Sequence, residues 1–396
     1  MRTTRAVLAL ALAAGLATAA CGTGGGSSAP GGAQTVDITY IADLSGPAAV
    51  YGKPYVDGAK FQVDQINKAG GVHGRQLTID VVDSGTDQKQ AVAAMTAAAR
   101  GDADVVMYAP IGSLALPMAP IAQQSKVPFI VGQAASKGIT EAGDHVYRIT
   151  TNDIHYWEPL IARMRDQNGV KSMAIVYASD NTSTTEVAQQ LPDIAAKLGI
   201  TVTDSVPVKS NDVDYATPAA KVLAGDPDGV VMMAVGPGNA SMITTLRQRG
   251  FDGVFFGGAS LAGGALVPAA AEAHDTYLAT PFVASDQLPW ASGVDFTKEY
   301  TAATGSAPDN FSAGGHDQVE FVHQALESLG DTPSDRNALN GALATVASKG
   351  FAGATGDPVT FADRNALTPG VVAMWDGTKL VLAPGQTTGL MAPGTS

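Results

Sequence analysis

The residues best equipped for chemistry in this chain sit in motifs that each lack a required member. Gly46-Pro47-Ala48-Ala49-Val50-Tyr51-Gly52-Lys53 has the glycines and lysine of a phosphate-cradling loop. It is one residue too long, and Pro54 stands where the loop needs a Ser or Thr hydroxyl. Gly236-Pro237-Gly238-Asn239 lacks the third glycine of a dinucleotide-binding turn. Gly258-Ala259-Ser260-Leu261-Ala262 has the serine of a nucleophile elbow without its closing glycine. The six histidines (His73, His145, His155, His274, His316 and His323) have no zinc spacing, and Cys21 is the single cysteine. His316 and His323 lie seven apart on one expected helix face, the usual arrangement of a solvated or core-edge face. Asp331, Asp335 and the other carboxylates do not make a calcium loop. No cofactor, metal or catalytic set is therefore expected, and the chain reads as a binder rather than an enzyme.

The binding chemistry lies in turns that follow strands. Pro110-Ile111-Gly112-Ser113 and Gly132-Gln133-Ala134-Ala135-Ser136 are rich in small residues and hydroxyls. Small side chains let backbone N–H groups approach a ligand, and Ser adds a hydroxyl donor and acceptor. The plainer alternative for Ser113 and Ser136 is a helix N-cap, since a helical pattern follows each.

The elements that position these turns are legible from periodicity. Val36, Ile38 and Tyr40 alternate with Asp37 and Thr39, as a strand with two different faces does. Ser45-Gly46-Pro47 is a turn cluster. A helix is expected from near Pro54, with Val56, Ala59, Val63 and Ile66 on one face, stopped by Gly70-Gly71. Leu77, Ile79 and Val81 then alternate in a second strand. This is a βαβ unit, and open α/β sheets bind ligands at the carboxyl ends of their strands. Helix 88–100, strand 105–108, helix 114–125 and strand 127–131 continue the alternation, which predicts a parallel sheet covered on both faces. The run 146–150 reads as a first crossover. A second α/β set follows: helix 153–167, strand 172–177, helix 184–198, strand 201–208, helix 215–224, strand 230–235, helix 239–249 and strand 254–256. Residues 278–281 read as the return crossover. Helices near 294–304, 312–329 and 335–348 and strands 359–361 and 371–375 complete the fold, with an Asp376-Gly377 hairpin turn into 379–382.

The run Leu44–Arg75, LSGPAAVYGKPYVDGAKFQVDQINKAGGVHGR, resembles the opening of the leucine/isoleucine/valine-binding family, the solute receptors of branched-chain amino-acid-type ABC importers. The order and spacing of the SGP loop, the aromatic-Gly pair, the DGA helix and INKAGGVHGR carry the likeness. It implies an α/β fold of two doubly wound parallel-sheet lobes joined by a hinge of about three strands (a type 1 periplasmic binding fold). One lobe would comprise 36–150 plus 283–365, the other 151–282 plus 366–384, with a tail at 385–396. It implies capture of a small polar or amphipathic ligand by lobe closure and delivery to ABC permease subunits. A ligand sensor on the same scaffold is the alternative, and an exported enzyme the third.

By the same resemblance a ligand carboxylate is held by the turns containing Ile111, Gly112 and Ser113 and Gln133, Ala134, Ala135 and Ser136. Tyr51 matches an aromatic that packs on the ligand, its alternative being a packed turn residue. His316 matches an aromatic near the pocket, with a role in the fold equally open. The chain departs from the family in the second lobe. Ala259 falls where an acidic residue meets the ligand ammonium, and Thr182 and the Val235-Gly236 position fall where tyrosines are expected. Either the ligand is an amide, a carboxylic acid or an aromatic acid without an α-ammonium, or another carboxylate substitutes. Asp180 is the first candidate, with Asp153 and Asp317 behind it.

Residues 1–21 read as a targeting segment: Arg2 and Arg5, an apolar stretch 6–19 too short to span a bilayer comfortably, then Thr18-Ala19-Ala20-Cys21. These last residues resemble a bacterial lipobox, which would lipidate Cys21 and anchor the mature protein to the outer face of the cell membrane. The Gly/Ser-rich stretch 22–35 reads as a tether. The net charge is −13, without a basic run, which argues against nucleic acid as a partner. With one cysteine no internal disulfide can form, and a monomer is expected.

Overall fold

The alternation at residue 36 becomes an interior strand, one in from the edge of its sheet. In the computed structural model, which describes residues 35–390 apart from 135, 153 and 331–334, β1 (Val36–Ala42) buries Val36, Ile38 and Tyr40 and leaves Asp37 and Thr39 partly exposed. The chain continues through α1 (Ala49–Lys68), β2 (Leu77–Asp83), α2 (Gln88–Arg100), β3 (Val105–Ala109), α3 (Gly112–Ser125), β4 (Phe129–Val131) and β5 (Val146–Arg148). Ile38 sits in parallel register between Ile79 of β2 and Val105 of β3.

The second set is α4 (Ile154–Asn168), β6 (Ser172–Ala178), α5 (Thr182–Lys197), β7 (Thr201–Val208), α6 (Ala216–Ala224), β8 (Gly229–Met233), α7 (Pro237–Gln248), β9 (Val254–Gly257) and β10 (Thr276–Thr280). The chain then supplies α8 (Ala291–Thr304), α9 (Asn310–Leu329), α10 (Arg336–Lys349), β11 (Phe351–Gly353), β12 (Gly356–Ala362) and β13 (Asn365–Leu367), and ends with β14 (Val371–Trp375) and β15 (Leu380–Leu382). Two sheets result, ordered β11-β12-β13-β5-β4-β3-β1-β2 and β15-β14-β10-β9-β8-β6-β7. Their centres are parallel, and the late strands add antiparallel pairs at one edge of each.

The first sheet carries one lobe and the second the other. The chain crosses between them after β5, after β10, and through residues 368–370 between β13 and β14. Two crossings are tied together: the Thr151 hydroxyl oxygen accepts the Thr368 N–H at 2.5 Å, and the Tyr156 and Thr368 hydroxyls lie 2.6 Å apart. In the first lobe α1 and α9 pack almost backbone to backbone. A Cβ on Gly58 would collide with the Ser312 carbonyl, and one on Gly315 with the Tyr55 carbonyl. Asp309 caps α9, accepting the Ser312 N–H at 2.8 Å while the Ser312 hydroxyl accepts the Asp309 N–H.

Four expectations shift. α1 starts at Ala49 and holds Pro54 inside, so Tyr51 lies in a helical first turn and not in a loop. The turn before it is held from outside, by the Thr86 hydroxyl accepting the Ala48 N–H at 3.3 Å. The segments 146–150 and 278–281 were expected as crossovers, but Val146–Arg148 and Thr276–Thr280 are sheet strands and the crossings follow them. β4 is shorter than expected, because Val127 and Pro128 precede its ladder. β11 and β13, three residues each, have too little alternation to be read from sequence.

Candidate ligand-binding site

The helices after the strand ends bring their N-termini to one cavity between the lobes. It has a volume of about 80 Å³. The first lobe lines it with Tyr51, Pro110, Ile111, Gly112, Gln133 and Phe311, and the second with Asn181, Ser183, Thr184, Val235, Ala259 and Ser260. Tyr51 is in the first turn of α1, Gly112 opens α3, and Ser183 and Thr184 lie in the first turn of α5. Helix N-termini present unpaired N–H groups and a partial positive charge. The start of α3 has no side-chain cap, whereas Asn181 caps α5 by accepting the Ser183 N–H at 2.9 Å. No Asp, Glu, Lys, Arg or His occurs among the described residues lining the cavity.

The aromatic wall is built from α1 and α9. Phe311 packs against Tyr51 at 5.1 Å and against Tyr55 at 5.8 Å between ring centroids. Tyr51 also reaches across the cleft, donating its hydroxyl to the Ser260 carbonyl at 3.0 Å and accepting the Gly236 N–H at 2.7 Å. Burial pushes its phenol up to about 12, so it stays neutral and can donate. The Ser136 and Ser183 hydroxyls meet across the same cleft at 3.0 Å, and Glu186 of α5 accepts the Lys137 N–H at 3.1 Å.

The turns beneath the cavity are fastened by buried polar groups. The Tyr55 hydroxyl accepts the Gln133 N–H at 2.8 Å, and Arg148 donates to the Ala134 carbonyl at 2.7 Å. Tyr108 donates to Asp43 at 3.3 Å and accepts the Ile111 N–H at 3.2 Å, linking a buried carboxylate to the α3 turn. Burial raises the Asp43 carboxyl to about 6, a shift that the Ser84 and Tyr108 hydroxyls partly offset.

Tyr51, Ile111, Gly112, Gln133 and Ala259, all singled out in the sequence, line the cavity. Gly236 stands behind it, bonded to Tyr51. Ser136 closes it against Ser183, and Ala134 contributes its carbonyl to Arg148. The N-cap of α3 is Ile111 and that of the short helical turn at 140–142 is Ile139, so neither Ser113 nor Ser136 fills the capping role, and Ser113 is not among the lining residues. Thr182 also lies outside the lining, while its neighbours Asn181, Ser183 and Thr184 form it. Asp180 is exposed and holds the 209–212 turn, accepting the Ser210 N–H at 3.1 Å and its hydroxyl at 2.9 Å. His316 lies away from the cavity, its ring 4.7 Å from Phe296 and its Nδ1 2.8 Å from Asp317. Asp317 is fully buried and accepts from Ala354 N at 2.6 Å and from Thr355 N at 2.9 Å. Ala135, Asp153 and Cys21 lie outside the described residues.

Sequence reading missed Asn181, Ser183, Thr184 and Phe311. Asn181 had a signal, a capping residue directly after a strand and before a helical pattern. Phe311 had none, because its neighbours come from α1, hundreds of residues away.

A family profile described as periplasmic binding protein matches residues 35–379. The leucine-, isoleucine-, valine-, threonine- and alanine-binding protein of Pseudomonas aeruginosa is 25% identical over 322 residues, covering 76% of this chain and 85% of that protein. The Leu/Ile/Val-binding protein of Escherichia coli is 25% identical over 258 residues, covering 65% of this chain and 70% of that one. Among solved structures, the branched-chain amino acid transporter substrate binding protein LivJ from Streptococcus pneumoniae, in complex with isoleucine, superposes with a TM-score of 0.81 at 20% identity, over 90% of this chain and 99% of that one. A solute binding protein of an ABC transporter from R. palustris, in complex with benzoate, gives 0.80 at 20% identity, over 91% of this chain and 98% of that one. At these identities the two structures share the fold.

Proposed function

The chain belongs to the periplasmic binding protein family, and from that premise we propose that it is an extracytoplasmic solute receptor that closes on a small ligand and presents it to the permease subunits of an ABC importer. The observation that carries this reading is the cavity between two lobes, with Tyr51 of one lobe bonded to the backbone of the other. A hinge of three crossings permits such closure around a ligand. Binding and release are the whole task, and no covalent step is invoked. Lipidation of Cys21 would hold the receptor at the membrane beside its permease.

A thermal-shift screen of amino acids, amides and aromatic acids tests this. A ligand at 100 times its Kd adds about 2.7 kcal/mol, and small-angle scattering should show a smaller radius of gyration with that compound. A screen in which no compound raises the melting temperature, or a saturating binder that leaves the radius unchanged, counts against a closing receptor.

A further inference from the structure

We infer that the ligand is a small organic acid whose second polar group is a hydrogen-bond acceptor in place of an ammonium, and that Trp157 reads that group. The inference rests on the receptor reading above and names its ligand class. A second, smaller cavity of about 40 Å³ adjoins the first and shares Ser183, Thr184 and Ser260 with it. Trp157 from the first turn of α4 lines this extension. Its side chain is buried in the second-lobe core, and its Nε1–H is sealed from solvent with no hydrogen-bond partner among the described residues.

An indole N–H can only donate. A buried donor left unpaired is costly, and a ligand acceptor removes the cost. Of the shared hydroxyls, that of Ser260 favours the same kind of group. Ser260 Oγ reaches the Met232 carbonyl only at 3.5 Å, too long for a good hydrogen bond, so it remains available to donate. Thr184 gives its proton to the Ala178 carbonyl at 2.5 Å, and the Ser183 hydroxyl is paired with Ser136 at 3.0 Å, so Ser260 is the hydroxyl of the three that is left to donate. The N-termini of α3 and α5 add partial positive charge at the cavity. An ammonium placed here meets a donor-only ring and helix N-termini, with no carboxylate among the described lining residues. Asp180 and Asp317 are committed elsewhere, and Asp309 caps α9 beside a separate groove. A buried charge without a partner is strongly disfavoured.

Two matched series test the inference by calorimetry: leucine, 4-methyl-2-oxopentanoate and 4-methylpentanoate, then phenylalanine, phenylpyruvate and 3-phenylpropanoate. In at least one series the 2-oxo acid should bind at least tenfold tighter than the amino acid and roughly 3- to 20-fold tighter than the plain acid, the size of one buried hydrogen bond. Trp157→Phe keeps the ring and should erase the preference for the 2-oxo acid over the plain acid. If that variant does not fold, the indole ¹⁵N–H resonance of Trp157 in the wild type should shift on binding the 2-oxo acid. Tighter binding of the amino acid overturns the inference, and its loss in Asp153→Asn or Asp309→Asn would identify the counter-charge. An unchanged preference in Trp157→Phe, a static indole resonance, or no binding by any acid of either series also overturns it. Amino-acid binding leaves the receptor reading intact, whereas a wholly silent screen removes that reading as well.

Discussion

The Tyr51 hydroxyl accepts the Gly236 N–H at 2.7 Å across the cleft between the lobes. Gly236 has a φ of +56°, and a Cβ there would strike the Pro47 carbonyl of the opposite lobe. The same hydroxyl donates to Ser260, so one side chain secures two backbone groups of the second lobe. Tyr51→Phe keeps the ring against Phe311 and removes both bonds. Ligand affinity should fall roughly 5- to 150-fold, the effect of about 1–3 kcal/mol. Gly236→Ala should hold the lobes apart, giving a larger radius of gyration at ligand saturation. Affinity and radius unchanged in both variants would mean that this contact plays no part in closure.

The hinge depends on a buried hydrogen bond between two crossings. Thr151→Val has nearly the same shape but takes away the acceptor for the Thr368 N–H and a hydroxyl partner of the Thr368 side chain. A buried N–H left unpaired costs about 1–3 kcal/mol. Urea unfolding of the unliganded protein should show a lower midpoint by that amount. An unchanged midpoint would show that water or a shifted backbone takes over the bond.

Stability should fall with rising pH through the range set by Asp43. Its carboxyl is raised by burial from 3.8 to about 6. Between these values the folded chain keeps a proton that the unfolded chain releases, so the folded state is favoured on the acid side of the window and loses that advantage as pH rises through 6. The contribution is at most about 3 kcal/mol. Wild type and Asp43→Asn, unfolded in urea from pH 4 to 6.5, should diverge, the wild type losing stability relative to the variant as pH rises. Parallel pH profiles would contradict a protonated Asp43 in the fold.

Cys21 is the single cysteine and the expected lipid attachment point. In a bacterial host, Cys21→Ala should shift the protein from the membrane fraction to the soluble one or leave it unprocessed. Retention and processing identical to wild type would rule out the lipid anchor.

Local pattern determined the architecture. The alternation at Val36–Tyr40, the helical spacing from Val56 to Ile66 and their repetition through both lobes reflect short-range rules, period 2 for strands and 3.6 for helices. Those rules also place the turns at strand ends, which is why Ile111, Gly112 and Gln133 were legible as lining residues. Tertiary structure decided which polar groups remain free to meet a ligand. Asp180 is the first candidate counter-charge in sequence and His316 an open match to a pocket aromatic, yet one holds Ser210 and the other is paired with Asp317 and packed on Phe296. Phe311 and Trp157 carry no signal in sequence that sets them apart, and they line cavities through packing against distant elements. A hydrogen bond is spent on whichever partner the fold brings within about 3 Å, and sequence separation carries no record of that distance.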